Sequence, residues 1–152
     1  SKKISYKAYE KNSLKLYPKN SLVIAMYGAT IGKLGILDIE TTTNQACCVL
    51  FSSSIMLIKF AFYIFMASKR VLITLASGGG QPNISQGIIK NFRIPVPPTN
   101  EQQNIVSYLD SKVEKISASI SELISQIKDL QDYRSALITE AVTGKIDLRE
   151  WK

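Results

Sequence analysis

Between Val106 and Leu137 the chain repeats an apolar residue every three or four positions without a break. Val106, Val113, Ile120 and Ile127 form one set; Leu109, Ile116, Leu123, Leu130 and Leu137 form the other. Such alternation over more than four heptads is the pattern of a coiled-coil seam, because it keeps these side chains on one side of an α-helix. Pro97 and Pro98 end the preceding extended segment, since proline lacks the donor that a helix interior needs. Thr99 and Gln102 have the spacing of a capping box. Neither glycine nor proline interrupts the run before Gly144, a residue suited to a helix C-terminus. About 43 residues at about 1.5 Å each predict a rod of roughly 60 Å. A helix of that length does not fold back into so small a domain, and it is expected to pair with another chain or with a matching helix.

Arg134 breaks the apolar pattern at a seam position where Val or Ile would come next. A charge there fixes register or partner at some cost in stability, or else the seam has already splayed and the side chain reaches water. Both readings stand at this point.

The residues before the rod read as a small mixed domain. YKAYEK suggests a short helix and Pro18-Lys19-Asn20 a turn. SLVIAMY (21–27), LGILDIE (34–40) and QACCVLF (45–51) read as strands, with GATIGK (28–33) as the tight turn between the first two and TTTN as a polar loop. Residues 55–67 read as a buried helix, RVLITLA (70–76) as a second, GIIKN as a short helical turn and FRIPV as a final strand. The expected fold class is α+β: a small twisted sheet with flanking helices, followed by one long coiled-coil-forming α-helix. The division falls at residues 1–96 and 97–152.

Composition removes much chemistry. The 152 residues include no histidine, which excludes His-based acid–base catalysis, Ser-His and Cys-His nucleophile pairs and the commonest metal ligand. Cys47 and Cys48 are adjacent in an apolar run and are too few for a four-cysteine zinc site. No metal, no cofactor and no enzyme activity are expected. The most hydrophobic window, residues 55–67, contains Lys59 and falls short of the ~20 apolar residues a membrane span needs. The chain opens without the apolar core of a signal peptide, and its cysteine use fits a reducing, cytoplasmic compartment.

Charge is distributed unevenly. Seven lysines against Glu10 leave +6 on residues 1–33, residues 34–90 carry +2, and residues 91–152 carry −1. A basic domain on a neutral rod suggests a polyanion at one end and a protein at the other. Lysine-rich segments that only aid solubility give the same count.

Two loops are candidates for contact with a polyanion. Gly28–Lys33 is not a phosphate-binding loop of the P-loop kind, because three residues separate its glycines and Leu34 follows the lysine. As a turn it still presents Thr30 and Lys33 to a phosphate. Ser77–Ser85 contains three successive glycines, then Gln81, Pro82 and Asn83. Glycines suit a loop that approaches a surface closely, and Gln and Asn side chains can pair with adenine edges. A surface loop in which Asn83 caps the next helical turn is the plainer alternative.

GATIGK (28–33), TTTNQACC (41–48), SGGGQPNIS (77–85), IPVPPTNEQQNIVSYLD (94–110) and ITEAVTGKIDLRE (138–150) together resemble the specificity (S) subunit of type I restriction–modification enzymes, over essentially the whole chain. The resemblance implies a non-catalytic subunit whose target recognition domains each read half of a split DNA site, and whose long helices separate those domains and dock methyltransferase (M) subunits, which the restriction (R) subunit joins. It implies double-stranded DNA as ligand, with residues 1–96 as the later portion of one recognition domain. The expected DNA contacts are Lys11, Lys15, Thr30, Lys33, Gly79, Gly80, Gln81, Asn83 and Ser85. The expected helix-seam interface is Val106, Leu109, Val113, Ile116, Ile120, Leu123, Ile127, Leu130, Arg134 and Leu137. A full S subunit carries two such halves, so a half-size chain could rebuild the pair through the helix as a homodimer, antiparallel if it mimics the full subunit's internal symmetry; whether the helix pairs with itself stays open. Two rivals remain: a coiled-coil interaction module that binds no DNA, and the recognition segment of a single-chain restriction–methylation enzyme.

Overall fold

The structure is a computed structural model and describes residues 5–11, 14–76 and 82–151. Two compact units divide it, residues 1–106 and 107–152. In the first unit the order is α1 (Tyr6–Lys11), β1 (Leu16–Tyr17), β2 (Leu22–Ala25), a 3-10 turn (Gly28–Thr30), β3 (Leu34–Ile36), β4 (Thr41–Thr42), β5 (Cys47–Leu50), α2 (Ile58–Ala67), α3 (Lys69–Thr74) and α4 (Gln86–Lys90). One helix, α5 (Thr99–Val142), begins in the first unit and continues through the second.

β2 is the centre of a three-stranded antiparallel sheet ordered β3-β2-β5. Its side chains alternate as strand geometry requires: Leu22 and Ile24 are fully buried, while Val23 and Ala25 on the other face are half-buried. Met26 and Cys48 continue the buried face. Phe65 and Ala61 of α2, Leu72 of α3, and Ile84 and Ile89 at α4 close the core from the other side. β1 and β4 form a separate two-stranded ladder, Leu16 opposite Thr42 and Tyr17 opposite Thr41. The polar segment read as a loop at TTTN therefore contains a strand, and its partner lies 24 or more residues earlier.

Asn20 takes the left-handed conformation at φ 64°, which asparagine tolerates better than most residues. Its N–H donates to the Leu37 carbonyl at 2.8 Å and extends the β2–β3 ladder.

Three local expectations are corrected. FRIPV is not a strand: residues 92–98 belong to no strand or helix, and Phe92 instead packs on Phe65 with ring centroids 5.9 Å apart. Prolines at 95, 97 and 98 remove three of the donors a ladder would need. The capping box does not form either. Gln102 is fully buried, and its side chain ties three main-chain groups together. Its Oε1 accepts from the Leu57 N–H at 2.9 Å, and its Nε2 donates to the carbonyls of Ile55 at 2.7 Å and Pro97 at 2.8 Å. Finally, Ser85 rather than Asn83 caps α4, its Oγ accepting from the Ile88 N–H at 3.2 Å.

α5 runs for 44 residues, about 66 Å at 1.5 Å per residue. It ends where expected. Gly144 adopts φ 72°, and the N–H groups of Lys145 and Ile146 return to the Glu140 carbonyl.

Candidate nucleic-acid interface

The Gly28–Lys33 turn links β2 to β3. Gly28 and Gly32 both have positive φ, and the Gly32 N–H and Lys33 carbonyl pair with Ala25 to close the hairpin. Thr30 is exposed, its Oγ1 donating to the Tyr27 carbonyl at 3.2 Å, and Lys33 is exposed. A side chain at Gly32 would put its Cβ 3.1 Å from Cγ of Lys69. The glycine thus lets the first residue of α3 lie across the turn. Lys69 is a second cation at this turn, and the sequence offered no sign of it.

Segment 82–84 pairs with 26–28. Tyr27 and Asn83 form an antiparallel bridge, the Ile84 N–H donates to the Met26 carbonyl at 2.9 Å, and the Gly28 N–H donates to the Pro82 carbonyl at 3.3 Å. Ile84 is fully buried and anchors the strip, while Asn83 is half-buried. The two loops singled out from the sequence therefore meet, and Asn83 lies beside the turn that carries Thr30 and Lys33. Ser85 is exposed and holds the α4 cap. Gly79, Gly80 and Gln81 lie outside the described residues. Lys11 is exposed in the last turn of α1. Lys15 is placed elsewhere, its Nζ 5.5 Å from the Tyr17 ring centroid and 5.1 Å from that of Phe51.

No group of three or more potential metal-ligating side chains occurs among the described residues, and no helix among them is long and apolar enough to cross a membrane. Burial pushes the thiols of Cys47 and Cys48 up, and Lys90 offsets this only in part at Cys48. Neither is poised as a thiolate nucleophile.

Along α5 the seam is mostly open. Val106 is buried within the first unit and Leu109 is half-buried. Val113, Ile116, Ile120, Leu123, Ile127, Leu130 and Leu137 are exposed, and so is Arg134. Ile124 and Ile138 widen the apolar stripe toward the C-terminus. These two escaped the sequence reading because it tracked only the two seam positions.

Residues 1–129 match the family profile described as type I restriction modification DNA specificity domain, and the chain belongs to that family. It is 29% identical over 124 residues to the Escherichia coli type I restriction enzyme EcoR124I/EcoR124II specificity subunit, covering 78% of this chain and 30% of that one. It is 27% identical over 151 residues to the EcoKI specificity subunit of Escherichia coli K12, covering 93% of this chain and 32% of the relative. Among solved structures, a chain from a study of complex assembly and conformational transition of the type I R-M system superposes with TM-score 0.74 at 20% identity, over 84% of this chain and 31% of the other. The chain thus spans about a third of the length of these relatives.

Proposed function

We propose that this chain supplies the DNA-reading and subunit-joining parts of a type I specificity subunit and has no catalytic activity of its own. Residues 1–96 are the target recognition part and residues 97–152 the helical spacer and docking part. One observation carries the reading: the Tyr27–Asn83 bridge sets an amide side chain beside a turn bearing Thr30 and Lys33, with Lys69 of α3 against it, on the basic half of the chain. Lysines there hold phosphates, which adds affinity without sequence information, while Asn83 and the neighbouring Gln81 read base edges. The family description, a DNA specificity domain, supports the same assignment.

The open seam of α5 is the docking surface. It takes the methyltransferase subunit, and through it the restriction subunit, and it pairs with a matching helix that is a second copy or another part of the same subunit. Arg134 argues for antiparallel pairing. In a parallel, in-register pair the two Arg134 side chains face each other. In an antiparallel pair centred between Ile120 and Leu123, Arg134 falls opposite Leu109, next to Asp110.

Two experiments test this. In the complex with its methyltransferase subunit, Lys33→Ala weakens binding to every duplex alike, and Asn83→Ala costs about 1–3 kcal/mol of preference for the cognate site. Unchanged affinity and preference in both variants would remove the assignment, and absence of duplex binding in the wild-type complex at low salt would leave the coiled-coil module as the reading. Light scattering should give twice the 16.9 kDa chain mass, or a larger complex with methyltransferase. Ile120→Glu combined with Leu123→Glu should abolish both assemblies; a double variant that still assembles sinks the docking claim.

A further inference from the structure

A second cationic feature lies at the other end of the sheet. The β2–β5 register sets Leu50 opposite Leu22 and Cys47 opposite Ala25. Phe51 therefore lies at the end of β2 remote from the Gly28–Lys33 turn. Here a cleft of about 380 Å³ opens between β1, β5 and α4, with Lys15, Tyr17, Phe51, Gln86 and Lys90 among the residues lining it. The Tyr17 and Phe51 rings are stacked, centroids 5.9 Å apart and 25° from parallel. Lys15 rests its ammonium over both rings, and Lys90 is close enough to lower the thiol pKa of Cys48 in the cleft wall.

The wall chemistry restricts the ligand. No carboxylate lines the cleft, and neither Lys15 nor Lys90 has a carboxylate partner among the described residues. Two ammonium groups and the Gln86 amide offer only cationic and hydrogen-bonding contacts to an anion, while the stacked rings offer an apolar face. That pairing matches a phosphodiester joined to a deoxyribose. The Lys15 contact with the rings is exposed and weak, so the ammonium can turn to an arriving phosphate at little cost.

We propose that this cleft seats one sugar–phosphate step of the DNA backbone, with Lys15 and Lys90 on the phosphate and Tyr17–Phe51 against the sugar. It is a second anchor within the same first unit, and it rests on the DNA-binding reading above. Its role is to fix position on the duplex, since phosphate contacts carry no sequence information.

The test is the salt dependence of duplex binding by the methyltransferase complex. Each phosphate contact contributes about 0.9 to the slope of log K against log salt, so Lys15→Gln with Lys90→Gln, which removes both cations from the one phosphate, should flatten it by about 0.9. Site preference should stay the same, and Lys15→Arg with Lys90→Arg should keep the wild-type slope. Phe51→Ser should lower affinity at every salt concentration and leave the slope alone. Unaltered melting temperatures exclude misfolding as the cause. A Lys15→Gln/Lys90→Gln slope equal to wild type overturns the cleft alone. A wild-type complex that binds no duplex overturns the DNA reading as well. Titration with dAMP separates the sources of the ligand: no saturation is expected, and saturable binding lost in the glutamine variants would assign the cleft to a free nucleotide instead.

Discussion

β2 and the middle of α5 use the same kinds of side chain and treat them in opposite ways. Ile24 is fully buried, whereas Ile120 on α5 is 51% exposed. The strand is apolar throughout and its burial alternates with period two, while the helix spaces its apolar residues alternately three and four apart. The strand satisfies its pattern within the first unit. The helix leaves its stripe open within the chain, and this open stripe is the surface proposed above for pairing with another helix or subunit. Periodicity reports which face is apolar; only packing reports what covers it.

The comparison can be broken by matched substitutions. Ile24→Ala should cost about 2–5 kcal/mol of the first unit's stability by opening a cavity, measured by urea unfolding. Ile120→Ala should cost the isolated chain less than about 0.5 kcal/mol, because its side chain is exposed, while weakening assembly. Equal losses in the two variants would mean that the stripe is covered within the chain. Gln102→Ala should fall between, at about 2 kcal/mol, because it strands the Leu57 N–H and the carbonyls of Ile55 and Pro97. A loss no greater than that of Ile120→Ala would show that the clamp contributes nothing to holding the start of α5 against the segment before α2 within the first unit.

The smallest effect is expected at the C-terminus. Hydrogen bonds from Arg149 hold the Asp147 carboxyl below its usual value. Because the folded pKa is depressed, the associated stabilisation is present above the ordinary carboxylate pKa and fades as pH falls through the lowered one. Both groups are fully exposed, so Arg149→Ala should move the Asp147 titration upward by NMR and leave the unfolding midpoint unchanged.

The legible parts of the fold were the periodic and punctuated ones. The long helix, its stop at Gly144, β2 and the hairpin turn all follow from local pattern, and each is present. Gln102 was legible as a helix-start residue but not as a clamp, because its partners at Ile55 and Leu57 lie more than 40 residues away. β4 and the aromatic cleft were hidden for the same reason: a two-residue strand has no period, and the cleft draws on three separate elements. Of the candidate contacts, Asn83 and the Thr30–Lys33 turn come together through backbone pairing that composition does not announce. Lys69 joined them only because Gly32 leaves room for it.

That pairing has an evolutionary consequence. The joint between residues 26–28 and 82–84 is made by main-chain N–H and carbonyl groups, with the buried Ile84 as its side-chain anchor. Asn83 contributes no side chain to it, and the Thr30 hydroxyl bonds only to the Tyr27 carbonyl within its own turn, not across the joint. On the DNA-reading role proposed above, residues at those positions can be exchanged while the main-chain joint stays in place, so a preference can change at this surface on an unaltered frame.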